Sequence, residues 1–507
     1  MTALSASILL TQALLHGHLS GIDEYDDGVY FGSAMQLTHG TIPYRDFGFI
    51  QPPFIAVLLS PFAFASHLIG TARAFESARL FIVAIEVANT ALVGVLMRRR
   101  PVFQMVIAMG VMAVYPGAVS SAQTILLEPV LVCLCLVGLV ALFDGDCVSR
   151  SHRRIFIAGA FFGLAASTKL WALGPIVIVA YLLWRKYRLR HGQAQLSKFL
   201  LGVGTGFSVV CLPFFLGAPR NFIDQVFVTQ AVRNGSGYGI PERILDLTGT
   251  AGIVHFFRLP IGISAGLFVS CGFVGVICLT QREKGRGLSD LEWTSLLCAL
   301  GVAVVLIASP TYYYHYSSFE APFLALSLAF ICGRLVARVR NPPKFTWRLN
   351  SHQLASVAIL AIVPIVLCVS GVADIARIVG AMPATQVNDA FSDAIPSRGC
   401  VLYVDPSIAL LDNRYTSDVS NCPDVVDYLG EERVLDGGLS DTPSDMRQTT
   451  LQKQMLNWVS SSDALVTGDN EPSWGPAVRR YVSNHFEATR GLIVGTEVYV
   501  RRSRHSI

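Results

Sequence analysis

The sequence predicts a multi-pass α-helical membrane protein of about eleven transmembrane helices, followed by a small extracytoplasmic α/β domain. Three observations predict it: long apolar runs, basic clusters in alternate gaps between those runs, and a polar, acidic C-terminal stretch. Of 507 residues, 52% are apolar and only 15% charged, with a mean hydropathy of +0.51. A soluble chain of that balance would lack the polar surface it needs.

A spanning helix needs about 20 mostly apolar residues. Candidate spans are 2–18, 76–97, 101–119, 124–143, 155–169, 171–184, 199–216, 256–279, 292–309, 317–333 and 353–373. Basic clusters at Arg98 to Arg100, Arg150 to Arg154, Arg185 to Lys198, Arg282 to Arg286 and Arg334 to Arg348 each follow an even-numbered span. Lys and Arg gather in cytoplasmic loops, so this parity puts the N-terminus inside and the C-terminus outside. The first run is short and lacks a basic flank, which gives it the look of a signal peptide, but no small-residue cleavage site precedes the charged loop, so it is read as a helix. The expected localisation is the plasma (inner) membrane, with residues 1–375 as the membrane module and 385–507 as the outer domain.

The tail holds 17 acidic and 11 basic residues from position 385 onward, against a net charge of +4 for the whole chain. Within it, 400–404, 463–467 and 491–500 read as strands rich in β-branched residues, and 447–461 and 474–489 carry helical spacing with Trp458, Trp474 and Tyr481 on buried faces. Nine of eleven cysteines lie in or beside the apolar part, where they fill space. Cys400 and Cys422 alone lie in the tail, and an outer compartment permits a bridge between them; two free buried thiols are the other reading. The tail has no GxGxxG, Walker motif or metal-ligand cluster, and is expected to cap the site or dock an acceptor.

The segment richest in chemistry is the first outer loop, residues 19–53, with acidic Asp23, Glu24, Asp26, Asp27 and Asp46. Carboxylates this close to hydrocarbon must be solvated, paired or used. From Asp27 the chain reads as a helix with Val29, Met35 and Leu37 on its apolar side, so Asp26 and Asp27 sit where the helix dipole favours negative charge. A plain helix cap in an acidic loop explains the pair as well as a site does.

The string YDDGVYFGSAMQLTHGTIPYRDFGFIQPP, Tyr25 to Pro53, resembles the first outer loop of the GT-C membrane glycosyltransferases. That superfamily includes protein O-mannosyltransferases, lipid A aminoarabinose transferases, and actinobacterial cell-wall mannosyl- and arabinosyltransferases. The resemblance implies a multi-span fold, a polyprenyl-phosphate-linked sugar donor, and an acidic pair, usually Asp-Glu, whose Asp is the catalytic base. Asp26-Asp27 falls on that pair, with Asp26 as base and Asp27 replacing the Glu; Asp23-Glu24 is the other alignment. The loop ends in Ile50-Gln51-Pro52-Pro53, where related enzymes carry a cation before the prolines, so Gln51 brings a hydrogen bond to phosphate but no charge.

Inverting sugar transfer needs one carboxylate to take the acceptor proton. A phosphate leaving group is stable as an anion and asks for cationic or hydrogen-bonding neighbours instead of a second acid. Glu128, followed by Pro129 near the outer start of the fourth span, is a second cavity group or a cap, and its place is similar to one in the superfamily. Lys169 is a phosphate ligand or a snorkelling surface lysine. Arg79, inside the second span, pairs with Glu76 or Glu86 or serves a ligand. The outer loop 217–255 holds Gln230, Arg233 and Arg243 around NGSGYG, either a phosphate-binding gate or a set of solvated charges. The turn SPTYYYHYSSFEAP carries Tyr312, Tyr313, Tyr314 and Tyr316, which an interfacial aromatic belt would explain. Its His315 resembles the phosphate-binding turn of several GT-C enzymes.

The expected function is inverting transfer of mannose or arabinose from a polyprenyl-phosphate donor to a glycolipid, cell-wall glycan or protein. A lipid-linked-sugar transporter or flippase would show repeats and runs of mid-span charges, and the sequence shows neither. A non-catalytic envelope assembly protein would leave Asp26 inert. No His/Asp/Glu cluster has ligand spacing, so no cofactor is required, although some relatives use a divalent ion. Membrane lipid is an expected partner and nucleic acid is not.

Overall fold

The computed structural model describes all residues except 188–191, 232–236, 281–286, 341–365, 367–368, 374–375, 377–384, 418, 421, 429, 432–448, 469–473, 494 and 503–507. The helical part runs α1 Thr2–Leu14, α2 Tyr25–Thr38, α3 Phe54–Ile69, α4 Thr71–Met97, α5 Val102–Val114, α6 Pro116–Ser121, α7 Leu127–Leu142, α8 His152–Ala166 and α9 Leu173–Tyr187. It continues with α10 Gly192–Gly217, α11 Pro219–Ile223, α12 Thr229–Ala231, α13 Ile240–Leu247, α14 Ala251–Phe256, α15 Ile261–Thr280, α16 Asp290–Ala308 and α17 Ala321–Arg340. Among the described residues, three helices are long and apolar enough to cross a membrane by themselves: Thr71–Met97, Ala194–Gly217 and Asp290–Ala308. Shorter apolar helices, α1, α5 and α7 among them, pack around these. The expected last span, 353–373, falls largely outside the described residues.

Small residues let two of these helices approach closely. Gly159 and Gly163 of α8 face Gly202 and Gly206 of α10, and a β-carbon at Gly159 or Gly206 would lie 2.1 or 2.0 Å from a carbonyl oxygen of the other helix. Lipid tails are as apolar as leucine, so such backbone-to-backbone contact replaces the hydrophobic effect as the source of association.

The two ends of the bundle differ. At the basic end, Arg100 pairs with Asp146 at 2.8 Å and Glu292 at 3.2 Å, and Arg334 meets the other oxygen of Glu292 at 2.8 Å. Glu292 is also in the capping box that starts α16, bonding the Ser289 backbone while Ser289 accepts from the Glu292 N–H. Lys186 pairs with Asp290, and Arg99 with Asp144 at 2.9 Å. Basic clusters from three separate sequence positions thus meet at one end.

At the other end lie the acidic loop, the start of α7, the end of α8 and the C-terminal domain. That domain comprises α18 Asp389–Ala394, α19 Pro406–Leu411, α20 Thr449–Ser461, α21 Pro476–His485 and a four-stranded sheet. The strands are β5 Val401–Tyr403, β6 Ala464–Thr467, β7 Phe486–Ile493 and β8 Thr496–Arg501, in the order β5-β6-β8-β7. Strands β5 and β6 are parallel and the remaining pairs antiparallel. The run expected as a single strand over 491–500 is instead a hairpin, because Gly495 turns the chain at φ 73°. The helix expected over 474–489 stops at His485, where the chain enters β7. Cys400 and Cys422 are joined by a disulfide.

The domain is bound to the acidic loop by more than contact. The short strand β1, Gly21–Ile22, pairs antiparallel with β4, Thr385–Gln386. Tyr25, Val29 and Phe31 of α2 share one hydrophobic core with Leu402, Ile408 and Leu410. An apolar helix absent from the expected elements, α3, also belongs here. The Phe54 N–H donates to the Ser167 carbonyl at 3.0 Å, and beyond Gly70 (φ 87°) the Ala72 N–H donates to Asn413 Oδ1 at 3.1 Å. Both ends of α3 therefore lie at the acidic end, with Phe64 and Leu68 exposed along it.

Candidate active site

The acidic pair divides at the first turn of α2. Asp27 is fully buried. Its Oδ2 accepts from Arg79 Nε at 3.1 Å, from Arg79 Nη2 at 2.5 Å and from the Thr124 hydroxyl, while Oδ1 accepts from Ser407 Oγ at 2.7 Å. Burial pushes the Asp27 carboxyl upward, and the Arg79 guanidinium with the two hydroxyls pulls the other way. Both oxygens are occupied by protein donors, so Asp27, expected beside Asp26 in catalysis, is an anchor. Asp26 is half-buried, and its Oδ2 accepts from the Tyr30 hydroxyl of its own helix at 3.3 Å.

Arg79 is the second correction. It pairs with neither Glu76 nor Glu86; Glu86 Oε2 accepts from Asn89 at 2.8 Å. The remaining guanidinium nitrogen, Nη1, donates to the carbonyls of His18, Leu19 and Gly21, at 3.1, 2.8 and 2.8 Å. Its planar fork thus organises the start of the loop as well as α2.

A second cluster forms where α7 and α8 reach the same end. Glu128, in the first turn of α7, accepts from Lys169 Nζ at 2.6 Å. The ammonium also lies 3.6 Å from the Trp171 ring centre and 4.0 Å from that of Tyr316. His315, half-buried in the turn Tyr314–Phe319, is stacked on Tyr313 and meets the Tyr316 ring edge-on. Desolvation holds His315 below its ordinary range; Lys169 acts in the same direction, and the negative charges of Glu128 and Asp26 oppose them. The field of Asp26 reaching His315 ties the acidic loop to this cluster.

Beside Lys169 is a cavity of about 280 Å³, lined by Gln51, Lys169, Trp171, Gln230, Thr311 and Tyr316, with Phe227 and prolines on its apolar side. The Gln51 edge is held from two directions. The Tyr44 hydroxyl donates to the Gln51 carbonyl at 2.6 Å, Gln230 to the Ile50 carbonyl at 2.6 Å, and the Phe49 N–H to Gln225 at 2.8 Å. Tyr44 is buried in left-handed backbone, φ 69°, a costly conformation for a tyrosine that the surrounding bonds maintain.

The structure thus gathers Gln51, Lys169, Gln230, Glu128 and His315. Arg243 does not join them: its guanidinium bonds the carbonyls of Leu306, Ile307, Ser309 and Pro310, capping α16. A cation suits that carbonyl-rich terminus, so Arg243 shapes the turn leading to His315 and is spent there. Arg233 lies outside the described residues. Tyr314 is half-buried beside the cluster, and Tyr316 lines the cavity in its stead. The described residues of the segment 217–255, expected as an outer loop, are largely folded into α11, α12, α13 and α14 with one π turn. Among the described residues, no group of three or more His, Cys, Asp or Glu could hold a metal ion.

Sequence reasoning missed Arg79 as the partner of Asp27, and Thr124 and Ser407 entirely. A lone arginine in an apolar helix was the available signal, since it must have a counterion. Thr124 and Ser407 carry none.

The sequence model of glycosyltransferase family 87 matches residues 49–310, just over half of the chain. The chain belongs to glycosyltransferase family 87. The match takes in Gln51, Glu128, Lys169 and Gln230, and stops before His315 and the C-terminal domain. No curated protein matches the sequence. Among solved structures, ArnT from Cupriavidus metallidurans bound to undecaprenyl phosphate aligns over 99% of this chain and 98% of its own, at 14% identity and TM-score 0.60. Its apo form aligns over 97% of each chain, also at 14% identity, with TM-score 0.56. The oligosaccharyltransferase of Archaeoglobus fulgidus in complex with zinc and sulfate aligns over 99% of this chain and 73% of its own, at 12% identity and TM-score 0.47. This family 87 glycosyltransferase is a membrane enzyme with the GT-C fold.

Proposed function

We propose that this family 87 glycosyltransferase moves a sugar, with inversion, from a polyprenyl-phosphate donor to an acceptor hydroxyl at the acidic end of the bundle. The carrying observation is the division of the acidic pair: Asp27 is locked by Arg79, Thr124 and Ser407, while Asp26 keeps a partly exposed carboxylate whose field reaches His315. Asp26 takes the acceptor proton as the hydroxyl attacks the anomeric carbon. The C–O bond to phosphate breaks, and the phosphate leaves as an anion without a general acid. Its charge meets Lys169 and the hydrogen-bonding groups of Gln51 and Gln230 around the cavity, with His315 behind the Tyr316 ring that lines it. The apolar side formed by Phe227 and the prolines suits an isoprenoid chain. The bound undecaprenyl phosphate in ArnT, which shares the fold, supports this class of donor.

The meeting of the basic clusters at the opposite end supports a cytoplasmic basic end and an extracytoplasmic site and C-terminal domain. Mannose or arabinose is the proposed sugar; the proposed acceptor is a glycolipid, cell-wall glycan or protein. The chemistry proposed here needs no metal, because the leaving group is already stable as an anion.

The test is transfer of labelled mannose or arabinose from polyprenyl-phosphate donors in membranes carrying the wild type or Asp26→Asn. Loss of the base is expected to lower turnover by about two to four orders of magnitude, with unchanged expression. Transfer retained at the wild-type rate would remove Asp26 from this role.

A further inference from the structure

The six-residue helix α19 bridges the two helices that carry the buried ion pair. At its start, Ser407 is fully buried, and its hydroxyl meets Asp27 Oδ1 at 2.7 Å and the Glu24 carbonyl at 3.0 Å. These two acceptors stand on either side of Asp26 in the chain. Beyond the end of α19, Asn413 accepts from the Ala72 N–H at 3.1 Å and the Thr71 hydroxyl at 3.2 Å, at the start of the helix that delivers Arg79. Ser407 itself is fixed by Asp405, which caps α19 through the Ser407 N–H at 2.8 Å. The junction has no slack: a β-carbon at Gly28 would fall 2.3 Å from the Ser407 nitrogen and 2.4 Å from its hydroxyl oxygen.

We infer that Ser407 is a positioning residue for sugar transfer, because its hydroxyl ties both flanks of Asp26 to one rigid point of the C-terminal domain. The inference rests on the proposed role of Asp26 as base. Ser407 touches no reacting atom and acts through Asp27 and the Glu24 carbonyl. A base works only within hydrogen-bond reach of the proton it takes, and a displacement of about 1 Å can cost on the order of a hundredfold in rate. The C-terminal domain, bare of chemical motifs in the sequence, thereby enters the reaction as the splint that aims the carboxylate.

The experiment uses the purified full-length enzyme with a labelled polyprenyl-phosphate mannose or arabinose donor. It compares Ser407→Ala, Ser407→Thr, Gly28→Ala and Asp26→Asn for kcat, donor KM and thermal unfolding. Ser407→Ala is expected to lower kcat about tenfold while donor KM stays within about twofold, since the cavity is untouched. Ser407→Thr keeps the hydroxyl and should recover most of the loss. Gly28→Ala should reproduce the kcat defect, because its methyl group drives α2 away from α19. Wild-type kcat in Ser407→Ala with unaltered melting would overturn the inference. A loss that tracks the unfolded fraction, with normal kcat per folded enzyme, would overturn it too. Asp26→Asn separates the two readings: if it alone is inactive, only the positioning role falls, whereas if it transfers normally, both fall.

Discussion

The two ends of the bundle handle charge in opposite ways. At the basic end, every charge described above finds an opposite charge: Arg100 and Arg334 share Glu292, Arg100 also holds Asp146, and Lys186 holds Asp290. The result is a closed lattice that fastens α4, α16 and α17 together. At the acidic end the same device joins Asp27 to Arg79 and Glu128 to Lys169, but it is left incomplete. Asp26 remains half-exposed, and Lys169, though paired with Glu128, still borders a cavity of about 280 Å³. Charges whose partners are all protein groups hold structure; those that also face open space are available to a ligand. The comparison can be broken by showing that substitutions at the two ends have the same kind of consequence.

The largest effect on folding is expected at Arg79. Arg79→Met leaves Asp27 buried without its cation and frees three loop carbonyls. Removing one member of a buried pair costs about 3–5 kcal/mol, so little folded enzyme should be recovered, read as detergent-solubilised monodisperse yield. Normal yield and melting would show that the pair is no anchor.

Next is the disulfide. Cys400 and Cys422 enclose a short loop, and cross-linking such a loop contributes about 3 kcal/mol by the chain-entropy account. The double variant Cys400→Ser, Cys422→Ser should melt lower under oxidising conditions, with kcat per folded molecule little changed. An unchanged melting temperature would show that the bridge constrains nothing.

Glu292→Gln, at the basic end, should cost less. It removes the charge shared by Arg100 and Arg334 but keeps a cap-capable side chain on α16. A loss of about 1–3 kcal/mol in stability, as for a charged hydrogen bond, with unaltered kcat and donor KM, is the expected signature of an end that only holds structure. A kinetic defect without a stability defect would contradict the division between the ends.

These contrasts were unevenly legible in the sequence. The spans, the basic parity and the acidic loop follow from hydropathy and charge, which are local properties of the chain. Glu128 and Lys169 stand out as charged groups beside hydrocarbon, Gln230 as a polar group of the long outer loop, and Gln51 and His315 only through resemblance to GT-C loops; the fold does gather them. Asp27 could not be told from Asp26, since the difference is set by Arg79, Thr124 and Ser407, which lie 52, 97 and 380 residues away. Arg243 was misassigned for a related reason: an arginine in a loop suits phosphate, but an unbonded helix terminus suits it equally well, and only the packing of α13 on α16 decides. Helix α3 escaped because its composition resembles a short span, while its geometry is set by contacts at both ends with Ser167 and Asn413.

The smallest expected effect concerns His315 and sharpens the comparison most. The proton affinity of His315 is depressed, chiefly by desolvation and further by Lys169, against the pull of Glu128 and Asp26; Tyr313 and Tyr316 pack on its ring. These contacts therefore favour its neutral form. An arriving phosphate adds negative charge, which raises the proton affinity of His315, so donor binding takes up a proton. Linkage then requires the donor to bind more tightly as pH falls through the interval between the two affinities, and to show no dependence above it. Donor KM should thus fall as pH is lowered through that interval, by at most about tenfold per unit for one proton. His315→Gln, which donates a hydrogen bond but cannot charge, should flatten that slope while leaving kcat largely in place. A slope that survives the substitution would assign the proton uptake to another group and take His315 out of the phosphate site.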